Sequence, residues 1–194
     1  MIAHATHAAT RLRTPTAWTV PTHAFDYANA VNHWLRNFRN PHQTKAVYLA
    51  AWFVTDTIHE VDAYPDDPAF AKPDPASRRG WADRQSLGGV LAELEPAIAA
   101  QNPNDALALV QSYLERTGER DKLVGLLTHC AGKFQGDAHI FRNARSTIEE
   151  YTLNTSSERR KNILFESWTH FLSFYRKRTL SRDCYELYQR YFMS

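Results

Sequence analysis

Between Asp105 and Tyr151, apolar residues return every three or four positions in three successive runs. The first is Ala106, Leu107, Val110, Tyr113 and Leu114; the second is Leu123, Leu126, Leu127, Cys130 and Phe134. The third is Ile140, Phe141, Ala144, Ile148 and Tyr151. This is the surface period of an α-helix, so it predicts three amphipathic helices, parted at Gly118 and at Gln135-Gly136-Asp137.

The same period extends in both directions. Thr22 is a good N-cap for a helix striped by Tyr27, Ala28, Val31, Trp34, Leu35 and Phe38, which Asn40-Pro41 ends. A second helix is predicted over about Gln43–Ala63, with Val47, Ala51, Val54, Ile58 and Val61 on one face. Tyr64–Gly80 holds Pro65, Pro68, Pro73 and Pro75 and reads as a long stiff loop, a type that often carries function. Helix resumes near Trp81, with Leu87, Val90, Leu91, Leu94 and Ile98 inward, and Pro96 should kink or split it. A later helix starts near Ser157, with Leu164, Trp168, Phe171 and Tyr175 on its core face. The last starts at Ser181 and carries Cys184, Tyr185, Tyr188, Tyr191 and Phe192 as an aromatic stripe.

No segment of useful length alternates with period two, so no sheet is expected. The expectation is an all-α fold, a single-domain antiparallel array of seven or eight helices over 22–194, preceded by an N-terminal arm over 1–21. Its core should bury Trp34, Leu35, Val54, Ile58, Leu91, Leu94, Val110, Leu114, Leu127, Phe141, Ile148, Trp168 and Phe171.

Composition narrows the class. A chain of 194 residues, 43% hydrophobic and 12% aromatic, can bury a sizeable core and is unlike a disordered one. The five Trp, nine Tyr and ten Phe supply area for helix seams or for an interface, which leaves a homo-oligomer open. Cys130 and Cys184 are too few for a disulfide scaffold and read as buried thiols in a reducing compartment. No apolar run approaches the roughly 20 residues of a membrane span, and Met1–Pro21 has no apolar signal core. The expected setting is therefore soluble and cytoplasmic, with no membrane partner. The formal charge of +2 demands no acidic partner. Basic clusters at Arg159-Arg160-Lys161 and Arg176-Lys177-Arg178 sit at a helix start and a helix end, and the second suits the helix dipole on its own. Nucleic acid is thus a third choice of partner.

Candidate chemistry rests with the nine histidines. A structural zinc site needs close Cys/His pairs, and neither cysteine has one. Asp56 with His59, and Glu166 with His170, share helix surfaces, but Asp56, Glu166 and His170 point away from the apolar stripes and read as solvated. The Glu-x-x-His of dinuclear carboxylate bundles does not occur. His23 and His139 fall in first helical turns, where unpaired backbone N–H groups favour an anion. His129 and His59 flank their stripes, and Gly125 and Gly132 beside His129 would admit a close neighbour. If a small ligand or metal binds at all, the expected site is a cleft of His23, His139, His129 and, less centrally, His59, with Tyr64–Gly80 closing over it. No P-loop, GxGxxG, GxSxG or HExxH motif is present, so the sequence names no cofactor and no catalytic set.

Several strings occur in an order associated with one helical domain: His23-Ala-Phe-Asp-Tyr-Ala-Asn-Ala-Val, Leu109-Val-Gln-Ser-Tyr-Leu, Leu126-Leu-Thr-His-Cys-Ala and Asp137-Ala-His-Ile-Phe. From Thr22 onward the chain resembles the C-terminal helical region that follows the cluster-binding domain in some bacterial Rieske-type iron–sulfur proteins, and more loosely the questin-oxidase-like family. The resemblance implies a redox protein as partner and touches His23, His129 and His139. A Rieske centre takes two Cys and two His in paired motifs, and the chain has no such pair. What is implied is the helical part without the cluster. The expected function is a helical accessory or scaffold module beside a redox protein. The alternative is an oxidoreductase with a metal or organic cofactor held between helices; the third is nucleic-acid binding through the basic C-terminal part.

Overall fold

A computed structural model describes residues 5–6, 19–63, 73–134, 138–174 and 188–193. Among these described residues, eight helices of seven or more residues follow one another: α1 Thr19–Asn37, α2 Gln43–Ala63, α3 Ala76–Asp83, α4 Leu87–Ala99, α5 Pro103–Arg116, α6 Arg120–Phe134, α7 Ala138–Leu153 and α8 Glu158–Phe174. The fold is all-α, with no strand among the described residues. None of their helices is long and apolar enough to cross a membrane.

Two compact units divide the chain, Met1–Asp74 with Arg145–Ser167, and Pro75–Ala144 with Trp168–Ser194. The division falls within α7 and α8.

In the first unit α1 and α2 pack on each other. Ala5, Ala24, Phe25, Ala28, Val54 and Leu164 form its main apolar cluster, with Phe53, Ile58 and Tyr151 against it. Val31, Ala46 and Ala50 form a second, flanked by Trp34 and Val47. Helix α1 begins at Thr19, ahead of the expected Thr22 cap. Pro21 is no obstacle there, because a first-turn N–H has no intrahelical partner to lose. The buried line on α2 runs through Ala46, Ala50, Val54, Thr57 and Val61, one step round from the expected Val47–Ala51 line. Alanines let two helices approach closely, so the contact forms on the less conspicuous side. The last turn of α1 is open to solvent, and Leu35 is 39% exposed rather than buried.

In the second unit α3 and α4 both pack on α5, and α4 also meets α6. The expected helix from Trp81 is instead two. Helix α3 already starts at Ala76, inside the stretch assigned to a loop, and ends before Ser86, whose hydroxyl caps α4 by accepting from the Gly89 N–H at 3.0 Å. Pro96 lies inside α4, which continues to Ala99. Gln101 then adopts a left-handed φ of 54°, and Asn102 N–H bonds back to the Ala97 carbonyl at 3.0 Å, closing the helix end. Asn102 in turn caps α5, ahead of Pro103. Arg120, itself buried, donates to the Thr117 and Leu114 carbonyls and so satisfies the end of α5. Ala106, Leu107, Ala108, Leu109 and Val110 are all buried, so this turn of α5 is enclosed on every side. On α7, Ile140 and Ala144 take the inward positions, and Phe141 is 56% exposed, against expectation.

Candidate functional site

A set of buried and half-buried polar side chains in the first unit joins α1 to α7. Asp26, Asn29, Asn32 and His33 recur at three- and four-residue spacing on α1, hence on one face. Ser146, Glu149 and Glu150 do the same on α7. Ser146 Oγ donates to Asp26 Oδ1 at 2.9 Å. Asn29 Nδ2 and Asn32 Nδ2 both donate to Glu150 Oε1, each at 2.9 Å. His33 Nδ1 lies 2.7 Å from Glu149 Oε1, and Arg145 Nη2 is 3.4 Å from the other Glu149 oxygen. Arg36 Nη2 reaches the Leu153 carbonyl at the end of α7 at 3.5 Å, where the helix dipole favours a cation. Residue numbers rise together on both sides, so the two helices run in the same direction along this seam.

Burial grades along it. Asp26, Asn29, Ser146 and Glu150 are buried, whereas His33 is open to solvent at the edge. A buried carboxylate is costly unless hydrogen bonds replace its hydration. Glu150 meets that need with two amide donors on a single oxygen. Ser146 donates directly to Asp26, so this hydrogen bond, like those on Glu150, ties α7 to α1.

The histidines expected to form a cleft are placed as follows. His23 is half-buried and is the fifth residue of α1, one beyond the first turn, because the helix starts at Thr19. His59 is exposed on α2. His139 is half-buried, the second residue of α7. His129 is exposed on α6, its Nε2 3.7 Å from Glu95 Oε2 on α4. His23 and His59 belong to the first unit, His129 and His139 to the second. No group of three or more His, Cys, Asp or Glu that could hold a metal ion occurs among the described residues. A Cβ added at Gly125 or Gly132 would meet nothing within 4 Å, so neither marks a close approach. Of the Tyr64–Gly80 loop, residues 64–72 lie outside the described ones.

Two further expectations change. His170, read as solvated, is 2% exposed, and residues 167–173 of α8 are all buried. A helix enclosed all round has no solvated face for a stripe argument to find. The usable signal was charge: between Lys161 and Arg176 only Glu166 is charged. In the basic cluster at the start of α8, Lys161 pairs with Glu158 at 2.6 Å and sits over the Tyr151 ring at 4.6 Å, so it is committed internally. Arg176, Lys177, Arg178, Cys184 and Tyr185 lie outside the described residues; Tyr188, Tyr191 and Phe192 are exposed. Cys130 is fully buried as expected, and burial pushes its thiol up to about 12, with the Glu95 charge adding to the effect. The thiolate is the reactive form, so Cys130 is inert at neutral pH.

The seam itself was missed. Its trace in the sequence is Asp26-x-x-Asn29-x-x-Asn32, small polar residues three apart beside an apolar stripe. No family model matches the chain, no curated protein sequence matches it, and no solved structure matches it.

Proposed function

We infer that the chain is a helical accessory or scaffold module that works by holding other proteins rather than by catalysing a reaction. One observation carries the reading: α2 turns Tyr48, Leu49 and Trp52 outward, 72%, 46% and 64% exposed, while the polar groups of the α1–α7 seam bond to one another. Large exposed aromatics set close together on one helix face are a mark of protein–protein contact. The resemblance carried by the strings around His23, Leu109, His129 and His139 supports a redox protein as the partner served, and the cysteine usage supports a cytoplasmic setting.

A photocrosslinking amino acid at position 48 tests the reading in cells. It should capture protein adducts, whereas the same group at Lys122, on the exposed side of α6, should not. Metal analysis of the purified protein is the opposing arm. Stoichiometric iron or manganese with no adduct at position 48 would replace this reading by an oxidoreductase with a metal between its helices.

A further inference from the structure

The exposed side of α2 carries more than aromatics. Lys45, Leu49, Trp52, Asp56 and His59 are all exposed and follow one another at intervals of four, three, four and three. At about 100° per residue they fall within an arc of about 80°, the spacing of a coiled-coil seam. The charges on this row are split: Lys45 is near the start of the helix and Asp56 lies seven residues past Leu49, in the second half of the helix. Neither Lys45 nor Asp56 makes an ion pair among the described residues.

From this pattern, and resting on the reading of the chain as a protein-holding module, we propose that the α2 face docks a second copy of this chain, helix against helix and antiparallel. A two-fold axis between Ala50 and Ala51 pairs each residue with the one whose number completes the same sum. Lys45 then meets Asp56 of the other copy, and Leu49 meets Trp52. Each contact occurs twice, as an isologous interface requires. An antiparallel seam packs alternate positions in this manner, with the apolar pair at the centre and the charges at the rim. The parallel arrangement would instead set Lys45 on Lys45 and Asp56 on Asp56, two like-charge contacts, so the row itself selects the direction.

Sedimentation equilibrium of the full chain over a wide concentration range tests this. The expected result is a reversible dimer of the 22.3 kDa chain. Trp52→Glu should be monomeric throughout, and at concentrations where the wild type is monomeric too the thermal melts should coincide, since in the single chain the side chain it replaces is 64% exposed. Lys45→Glu should raise the dimer Kd at least about tenfold, a loss of roughly 1.4 kcal/mol. The double variant Lys45→Glu, Asp56→Lys restores both pairs with signs exchanged and should recover most of that loss. A chain that stays monomeric at every concentration, or a double variant no tighter than the single one, overturns the proposal. If position 48 still crosslinks to a different protein in that case, the second copy is wrong while the protein-holding reading stands.

Discussion

Helix α5 in one unit and the α1–α7 seam in the other are both shielded from water, but by opposite means. Over residues 106–110 of α5 the buried side chains are Ala106, Leu107, Ala108, Leu109 and Val110, which ask only for volume to be filled. Along the seam they are Asp26, Asn29, Ser146 and Glu150, which need particular partners at particular distances. Apolar burial is non-directional and tolerates sliding. A buried amide or carboxylate is not tolerant, because one step of slippage leaves it without a hydrogen bond. The first region supplies stability; the second fixes which residues of two helices far apart in sequence lie opposite each other.

The largest effect should come from breaking the apolar side of this comparison. Leu109 is fully buried, and Leu109→Ala should cost about 2–5 kcal/mol, the range for large-to-small core changes. Urea unfolding would measure it. The loss should be the same at low and high salt. A near-wild-type midpoint would mean that the enclosure of α5 is not what holds its unit together.

The seam should yield less to a single truncation but respond differently to a concerted one. Glu150→Ala removes one acceptor and strands two amides, Asn29 Nδ2 and Asn32 Nδ2, for an expected cost of about 1–3 kcal/mol. Replacing Asn29, Asn32 and Glu150 together by Leu removes donors and acceptor alike, and should unfold at higher denaturant than the single variant. Its amide NMR spectrum should broaden, as register specified by polar partners is lost. A triple variant less stable than Glu150→Ala would show the seam to be a source of stability and not of register.

This contrast also explains what the sequence could reveal. The bounds of α2 at Gln43 and Ala63, the break at Gly118 and the buried Val110, Leu114, Leu127 and Trp168 were legible, because large apolar residues at helical spacing have one sensible place to go. The close side of α2 was not, since Ala46 and Ala50 carry little hydrophobic signal and matter through the backbone approach they permit. Nor was His170, buried among polar neighbours at Thr169 and Ser173. The seam was hidden for a deeper reason. Asn29 is buried because Glu150 arrives from 121 positions away, and nothing local to either helix says so.

Directional bonds at the surface should matter less again. Ser86 accepts from the Gly89 N–H, and Ser86→Ala should cost about 1 kcal/mol, as for other N-caps. Ser86→Gly should recover most of that loss, since glycine caps nearly as well. If the two variants melt alike, the hydroxyl is not what separates α3 from α4.

The smallest effect concerns charge, and it sharpens the comparison because only charge should answer to pH. Lys133 Nζ lies 2.5 Å from Glu95 Oε1, joining α6 to α4 at the surface of the second unit. Glu95 is held below its ordinary value of 4.5 chiefly by that hydrogen bond, with partial burial opposing it and the charges of Lys133 and His129 assisting. A carboxyl with a depressed folded-state pKa contributes stability that is full above its unfolded value and is lost as pH falls through the folded one. Lys133→Met should therefore destabilise by less than about 1 kcal/mol at pH 7, the range of exposed ion pairs. The gap to wild type should close as pH drops below 4.5, and should narrow at about 1 M salt, where screening acts within about 3 Å. The Leu109→Ala gap should do neither. Lys133 also sits 5.5 Å from the Phe134 ring, a contact that involves no carboxylate and so does not depend on Glu95. A Lys133→Met gap that persists unchanged in acid would therefore assign the residue's contribution to that ring and not to Glu95.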